Sequence, residues 1–409
     1  MNNTQTTVLE QPVSTTVQQQ TPLSKRLVLL MAVACGVSVA NIYYNQPILK
    51  DIAVTFGVEE SQAGLVSMLT QVGYGLGLFF LVPLGDKLKR KKLLLVLLAS
   101  LSVALLCLSV STSLQQVYVL SVAVGVLSIS AQIILPMAAT LDPVTTGKTI
   151  GVIYSGLLIG VLGARIFSGF VSAWLGWRYV YAFSAGFVLT LLFLLKRFLP
   201  GVDNKFEGHY IQLLRSTLIQ IKRFPVLREA ALSGALIFGL FCSFWTTFTF
   251  HLSGPPFYFH TDIIGLFGFL AITGALCAPL FGKLADAGNS RRSLIYAVVA
   301  LIISILIAKV FPHAITSMIL CVLLLDVGVQ AAQVTNVSRI YGLDRSSHSR
   351  INTIYMTTYF IGGALGTSAG LLSWKHGGWS LVTWQMLLWA ALALVVLLKG
   401  SRTRTMIKG

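Results

Sequence analysis

Apolar stretches close to the ~20 residues that a membrane-crossing helix needs recur along the chain, separated by short polar segments. Their approximate cores are 27–47, 62–84, 93–111, 116–139, 150–173, 179–195, 230–252, 263–284, 293–311, 315–338, 351–373 and 380–399. This pattern predicts an all-α integral membrane protein with twelve transmembrane helices and both ends of the chain on one side. The longest polar interval, 198–228, separates a six-helix bundle at 25–197 from a second at 229–400. Within it Ile211, Leu214, Leu218 and Ile221 recur at helical spacing, interleaved with Arg215, Lys222 and Arg223. That predicts a linker helix lying along the membrane surface. Residues 1–24, rich in Thr, Gln, Asn and Val, show no apolar region of a cleaved signal peptide and are expected to form a disordered tail. Residues 401–409 form a short basic tail.

Composition agrees. Of 409 residues 55% are hydrophobic and 11% charged, against about 25% charged in soluble domains. A soluble enzyme, a disordered chain and a secreted disulfide scaffold are all excluded. The net charge of +17 would suggest nucleic acid on a soluble protein, but its placement says otherwise. Twenty-five of the 30 basic residues fall on the side that holds both termini. Lys50, Arg178, Lys309 and Lys375 fall on the other, and Arg165 within a span. This is the positive-inside asymmetry. It predicts cytoplasmic termini and needs no nucleic acid partner. The cysteines (Cys35, Cys107, Cys242, Cys277 and Cys321) lie in apolar runs without zinc or redox spacing, so neither disulfides nor a metal site is expected.

The two halves echo one another. LGDKLKRKK (84–92) answers GKLADAGNSRR (282–292), and Ala131-Gln132 answers Ala332-Gln333. Leu141-Asp142 answers Leu343-Asp344, and Gly176-Trp177 answers Gly378-Trp379. Duplicated six-helix bundles usually make a transporter whose substrate site lies where the halves meet.

On these residues the chain resembles the major facilitator superfamily, and within it the bacterial drug- and sugar-efflux branch of proton antiporters. The loop signature G-x-x-x-D-[RK]-x-G-[RK]-[RK] is recognisable twice. Gly282, Asp286, Arg291 and Arg292 carry it after the eighth span. Asp86, Lys87, Arg90 and Lys91 carry it after the second, where Val82 and Lys89 replace the glycines. NIYYNQPIL (41–49), DVGVQAAQVTN (326–336) and YFIGGALG (359–366) resemble a subgroup of such permeases. YSGLLIGVLGARIFSG (154–169) resembles the antiporter glycine motif without its Gly-Pro pair, and Ser121 stands where a fourth-span arginine is often found. The resemblance implies alternating access, with Asp86, Lys87, Arg90, Asp286, Arg291 and Arg350 as a cytoplasmic gate. Pseudosymmetry is expected to bring Asp86 toward 350–352 and Asp286 toward Thr149 when that gate closes.

Asp326 lies about twelve residues from either end of the tenth span. An Asp at the bilayer centre costs about +2.5–3.5 kcal/mol on insertion scales, so such residues face a cavity or a partner. Gln330 and Gln333 follow on the same helical stripe, with Gln132 as the counterpart of Gln333 in the fourth span. This is either a functional cavity face, with Asp326 as proton-coupling or substrate-cation site, or a structural interhelical contact. Arg165 lies opposite a stripe of Gly156, Gly160 and Gly163 expected to pack closely on a neighbour. It could be a counter-ion for Asp326, a site for anionic substrates, or a donor to backbone carbonyls. Asn41, Tyr44 and Asn45 share a face before the kinking Pro47. With Gln71, Trp245, Tyr355 and Tyr359 they suit a pocket for an uncharged or amphipathic solute. Aromatic belts at the interfaces are the other source of such residues. DPVTTGKT (142–149) ends like a phosphate loop, but Asp142 replaces its first Gly and no strand precedes it.

The reading that follows is a monomeric, cofactor-free, multi-pass carrier in the inner membrane, with the lipid bilayer, a small-molecule substrate and protons as its partners. It is not an enzyme. Proton-driven efflux of small organic molecules or drugs is the expected function, and proton-independent transport or symport of a metabolite such as a sugar or nucleoside is the alternative.

Overall fold

The computed structural model describes residues 23–142, 145–201, 209–271, 289–344 and 347–400. Asp286, half of the expected gate, lies outside them, as do Cys277 and both tails. Among the described residues, ten helical segments are long and apolar enough to cross a membrane. Helix lets a chain in hydrocarbon satisfy its backbone hydrogen bonds within the segment.

The first half contains α1 (Lys25–Tyr43), α2 (Asn45–Phe56), α3 (Glu60–Phe80), α4 (Leu84–Lys87), α5 (Arg90–Ser109), α6 (Leu114–Leu127), α7 (Ser130–Leu141), α8 (Thr146–Leu175) and α9 (Trp177–Phe198). The linker holds α10 (Tyr210–Arg223). The second half contains α11 (Pro225–Ser253), α12 (Thr261–Leu270), α13 (Ser290–Val310), α14 (Ile315–Tyr341) and α15 (His348–Lys399). Several pairs are one apolar rod with a break: α1 and α2 run from Lys25 to Phe56, and α6 and α7 from Leu114 to Leu141. The first rod is longer than the pattern predicts. Pro47 sits in the first turn of α2, where its missing N–H is harmless, so helix continues past it. Of the eighth stretch only α12 is described. α15, at 52 residues, would measure ~78 Å, too long for one crossing. It breaks at Gly378, whose φ of 56° and ψ of −151° are not helical.

Gly378 has a counterpart in Gly176, with φ 95° and ψ 155° between α8 and α9. A side chain at positive φ is strained, so glycine lets the backbone turn within one residue. The tryptophans that follow anchor the turns: Trp177 donates to Thr55 Oγ1 at 3.0 Å and Trp379 to the Ala308 carbonyl at 3.2 Å. The Gly-Trp repeat is therefore a structural repeat.

The halves are also packed alike. A Cβ on Gly160 would stand 2.2 Å from the Gly36 carbonyl oxygen, and one on Gly156 2.5 Å from that of Ala32, so α8 and α1 touch backbone to backbone. In the second half Gly362 and Gly366 meet Ala235 and Gly239 in the same way, joining α15 to α11. Gly163 is different. Nothing stands within 4 Å of where its Cβ would be, so it does not extend the predicted stripe. Large apolar side chains such as Leu29, Phe193, Trp174 and Trp384 are exposed, as on a surface that faces hydrocarbon.

α10 forms where predicted, but turned. Leu213, Thr217 and Gln220 face the protein, while Ile211 and Leu218 of the predicted apolar stripe are exposed, together with Ile219. An exposed apolar face with flanking Arg215 and Lys222 suits a helix at a lipid surface. Tyr210 donates to the Phe80 carbonyl at 2.6 Å, and Arg223 pairs with Asp344 at 2.9 Å, so the linker ties both halves at the end that carries the basic loops. Burial raises the Tyr210 hydroxyl above its ordinary value.

Candidate functional site

The site lies where α8 meets the second half. Arg165 is buried in α8, with its guanidinium 4.1 Å from the Trp245 ring centre, 5.2 Å from Tyr43 and 5.6 Å from Phe241. Its Nε donates to Gln46 Oε1 at 2.8 Å. Rings that face a cation in this way replace part of its lost hydration. Its two terminal nitrogens are buried and have no hydrogen-bond partner.

Asp326 is buried near the middle of α14, and its Oδ2 has no partner either. Arg165 and Asp326 interact electrostatically, but they do not come within the 4 Å of an ion pair. One belongs to each half. Gln330 and Gln333, farther along the Asp326 stripe, are half-buried.

The other predicted binding residues divide. Trp245 is at the site against Arg165, and Tyr359 stacks on Phe238 at 4.0 Å beside it. Tyr355 is fully buried 5.8 Å from Tyr359, ring to ring. Gln71 accepts from Thr367 Oγ1 at 3.2 Å across the seam, and Gln132 is half-buried in α7, while the Tyr74 ring lies 4.4 Å from Phe360.

Asn41, Tyr44 and Asn45 are engaged within the first half in this conformation. Asn41 donates to the Val37 carbonyl and accepts from Ser184 at 2.7 Å. Asn45 accepts from Ser67 and donates to the Ile42 carbonyl at 3.1 Å. Tyr44 is buried and packs on Phe167, ring centres 5.6 Å apart. A buried amide without partners is costly, so these side chains are spent on holding the first half together. The face of this segment that reaches Arg165 carries Tyr43 and Gln46 instead, which sequence reasoning passed over.

The gate residues behave as a local network. Asp86 is paired with Arg90 at 3.1 Å, and Arg90 also donates to the Gly85 carbonyl and Thr140 Oγ1. Lys87 is exposed, Arg291 donates to the Leu398 carbonyl at 2.6 Å, and Arg350 is half-buried in the first turn of α15. The expected approach of Asp86 to 350–352 is not made in this conformation. Thr149 is likewise engaged elsewhere: it donates to Asp142 Oδ2 at 2.5 Å, and Asp142 also accepts the Thr145 N–H at 2.9 Å. Asp142 thus braces the start of α8 through Thr145 and Thr149.

Among the described residues, direct contacts between the halves gather at the opposite end. Asp51 accepts from Ser172 at 2.5 Å and from Thr261 at 3.0 Å, and Thr249 donates to the Gln46 carbonyl at 2.8 Å. Lys375 pairs with Glu59 at 2.9 Å, and Trp374 donates to Glu60 at 2.9 Å. α8 and α12 cross through Gly169 and Gly265: a Cβ on Gly265 would stand 2.8 Å from the Arg165 carbonyl oxygen and 3.1 Å from the Gly169 Cα.

Lys375 holds the Glu59 carboxyl below the usual range for a glutamate. A depressed carboxyl favours the contact above its ordinary pKa and loses it as pH falls through the lowered value. Spin labels at Val58 and His376 are therefore expected to move apart on acidification below the ordinary glutamate range. The change will be small, because both partners are exposed and salt screens them. An unchanged distance distribution would show that the pair does not strap this end.

A family model of the Major Facilitator Superfamily matches residues 31–367. The uncharacterized transporter YgaY of Escherichia coli O157:H7 is 37% identical over 378 residues, which covers 92% of this chain and 95% of that one. The inner membrane transport protein YnfM of Escherichia coli K12 is 22% identical over 390 residues, covering 93% and 91%. Among solved structures, a bacterial homologue of the human lysosomal transporter Spinster, inward-facing and unoccupied, superposes with a TM-score of 0.74 at 14% identity, covering 92% of this chain and 96% of that one. The POT family transporter PepTSo superposes with a TM-score of 0.69 at 14% identity, covering 92% and 97%. At such identities these structures speak to the fold alone.

Proposed function

Because this chain belongs to the Major Facilitator Superfamily and is a multi-pass membrane transporter, we propose that it exports a small organic solute in exchange for protons. The observation that carries this reading is the buried Asp326 carboxylate, with one oxygen unpartnered, set across the seam from the ring-bound Arg165. A carboxylate that faces one side and then the other can hand a proton across, and solute and proton then compete for one cavity. Trp245, Tyr355 and Tyr359 offer ring faces to the solute, and Gln330 and Gln333 offer amides.

In this proposal the chain crosses the inner membrane twelve times as a monomer, with 25–197 and 229–400 as two rocking bundles, both termini cytoplasmic and no cofactor. The basic loops then mark the cytoplasmic end. The contacts at Asp51, Glu59 and Gly265 then close the outer end. When the cytoplasmic end closes instead, Asp86 leaves its local pair for the N-terminus of the eleventh span. A carboxylate gains about 0.3–1 kcal/mol at such a terminus.

The test is reconstitution in vesicles that contain a pH-sensitive dye and are preset with a proton gradient. A transported compound is expected to dissipate the gradient in protein-containing vesicles and not in empty ones, and Asp86→Asn is expected to slow the response. If compounds exchange across the membrane while the gradient stays intact, the protein is a carrier without proton coupling.

A further inference from the structure

At the centre of the molecule two opposite charges are buried and left unmatched. Arg165 of α8 keeps the flat faces of its guanidinium against Trp245, Tyr43 and Phe241 and gives its Nε to Gln46. What remains is its outer edge, the two terminal nitrogens that have no partner. That edge is the part of a guanidinium that matches a carboxylate or similar anion with two parallel hydrogen bonds. Asp326 of α14 likewise keeps an unpartnered oxygen. The two feel each other's charge without closing into an ion pair. Removing such charges from water without pairing them is expensive, so they mark a place where something else supplies the partners.

We infer that the transported solute is a small zwitterion with an apolar or aromatic body, its anionic group held by the outer edge of Arg165 and its amine by Asp326. Building on the transport reading above, this identifies the class of solute. A neutral solute leaves both charges unmatched. A cation leaves Arg165 unmatched, and an anion leaves Asp326 unmatched and repelled. A zwitterion satisfies both and spans the seam, since Arg165 and Asp326 belong to different halves. The stacked rings of Phe238 and Tyr359, 4.0 Å apart and next to Phe241, offer an apolar wall for the body.

The test uses the purified full-length protein and compounds that share one ring. Phenylalanine and para-aminomethylbenzoic acid are zwitterions of two charge spacings. Phenylalaninamide is a cation, N-acetylphenylalanine an anion, and N-acetylphenylalaninamide neutral. Binding is read from thermal stabilisation and from quenching of tryptophan fluorescence. At least one zwitterion is expected to bind about tenfold or more tightly than each of the other three, as expected when a buried charge is left unpaired. Arg165→Gln should erase the preference over the cation and keep that over the anion, and Asp326→Asn should do the reverse. A merely structural role would remove both preferences together. Arg165→Lys, which keeps the charge without the planar fork, should retain part of the first preference.

The inference is overturned if a neutral or singly charged compound binds as tightly as the better zwitterion, or if neither zwitterion binds. Transport itself is judged separately. Vesicles that exchange an uncharged compound would leave the transport reading standing while removing this one.

Discussion

Asp326→Asn is expected to abolish uphill transport while leaving passive exchange measurable. With one proton exchanged per solute, a pH difference of one unit is worth about 1.4 kcal/mol and supports roughly a tenfold solute gradient. Without a titratable group at the seam that ratio falls to one. Asn preserves the volume and most of the hydrogen-bonding capacity of the side chain, so the packing around α14 is kept. The cost falls on Arg165, which loses the charge it feels across the seam. Stripping a buried ion of its counter-charge typically costs about 3–5 kcal/mol, though here the two are not in contact and rings already stabilise the cation. Asp326→Asn combined with Arg165→Gln should therefore recover stability without recovering coupling. The measurements are solute accumulation in vesicles under an imposed pH difference and the melting temperature of each variant. Accumulation retained by Asp326→Asn would remove this residue from the coupling step.

The second large effect is expected at Gly265. With a carbonyl oxygen 2.8 Å from where its Cβ would stand, α8 and α12 cannot accept a side chain there and remain in contact. Overpacking of this kind costs about 1–3 kcal/mol. A carrier poised between two states by a few kcal/mol is then shifted about 5- to 150-fold toward the state in which these helices separate. Gly265→Leu should populate a conformation open at the end that carries Glu59 and Lys375, and Gly265→Ala a smaller fraction of it. Spin labels at Val58 and His376 measure this directly. If the Leu variant folds and the labels stay as close as before, the glycine crossing is not what closes that end.

Much of this architecture is legible in the sequence, because a bilayer imposes its own length and polarity on every crossing. The repeat is legible too. Gly176-Trp177 and Gly378-Trp379 repeat because both turns need a residue that tolerates positive φ and an indole that reaches back to a neighbouring helix. Asp326 and Arg165 stand out because charge at mid-span is costly wherever it occurs. What hydropathy does not reveal is where a polar side chain spends its hydrogen bonds. Asn41 and Asn45 look like a binding face, yet their partners are Ser184 and Ser67, residues with no distinguishing pattern. Tyr43 and Gln46, three residues apart, share the opposite face of the same helical wheel, and nothing in their own pattern shows that this face is the one that reaches Arg165. Gly163 shows the same limit: its spacing from Gly160 suggests a contact that the course of α1 does not supply. Asp51 escapes notice because Pro47 seems to end the helix, whereas the helix runs on and delivers Asp51 to Ser172 and Thr261.

The one-residue turn at Gly176 has a mechanical consequence. A connection without slack makes α8 and α9 a single lever, so the helix that carries Arg165 cannot tilt without carrying α9 along. α8, at 30 residues, is ~45 Å long, well beyond the ~30 Å of hydrocarbon it has to cross, so it either tilts or projects past the hydrocarbon edge. Trp174, Phe183 and Phe193 ride on the outside of this lever, exposed toward the lipid. Any stroke at the seam therefore drags bulky rings through the acyl chains, and membrane thickness becomes part of the work that the transport cycle must perform.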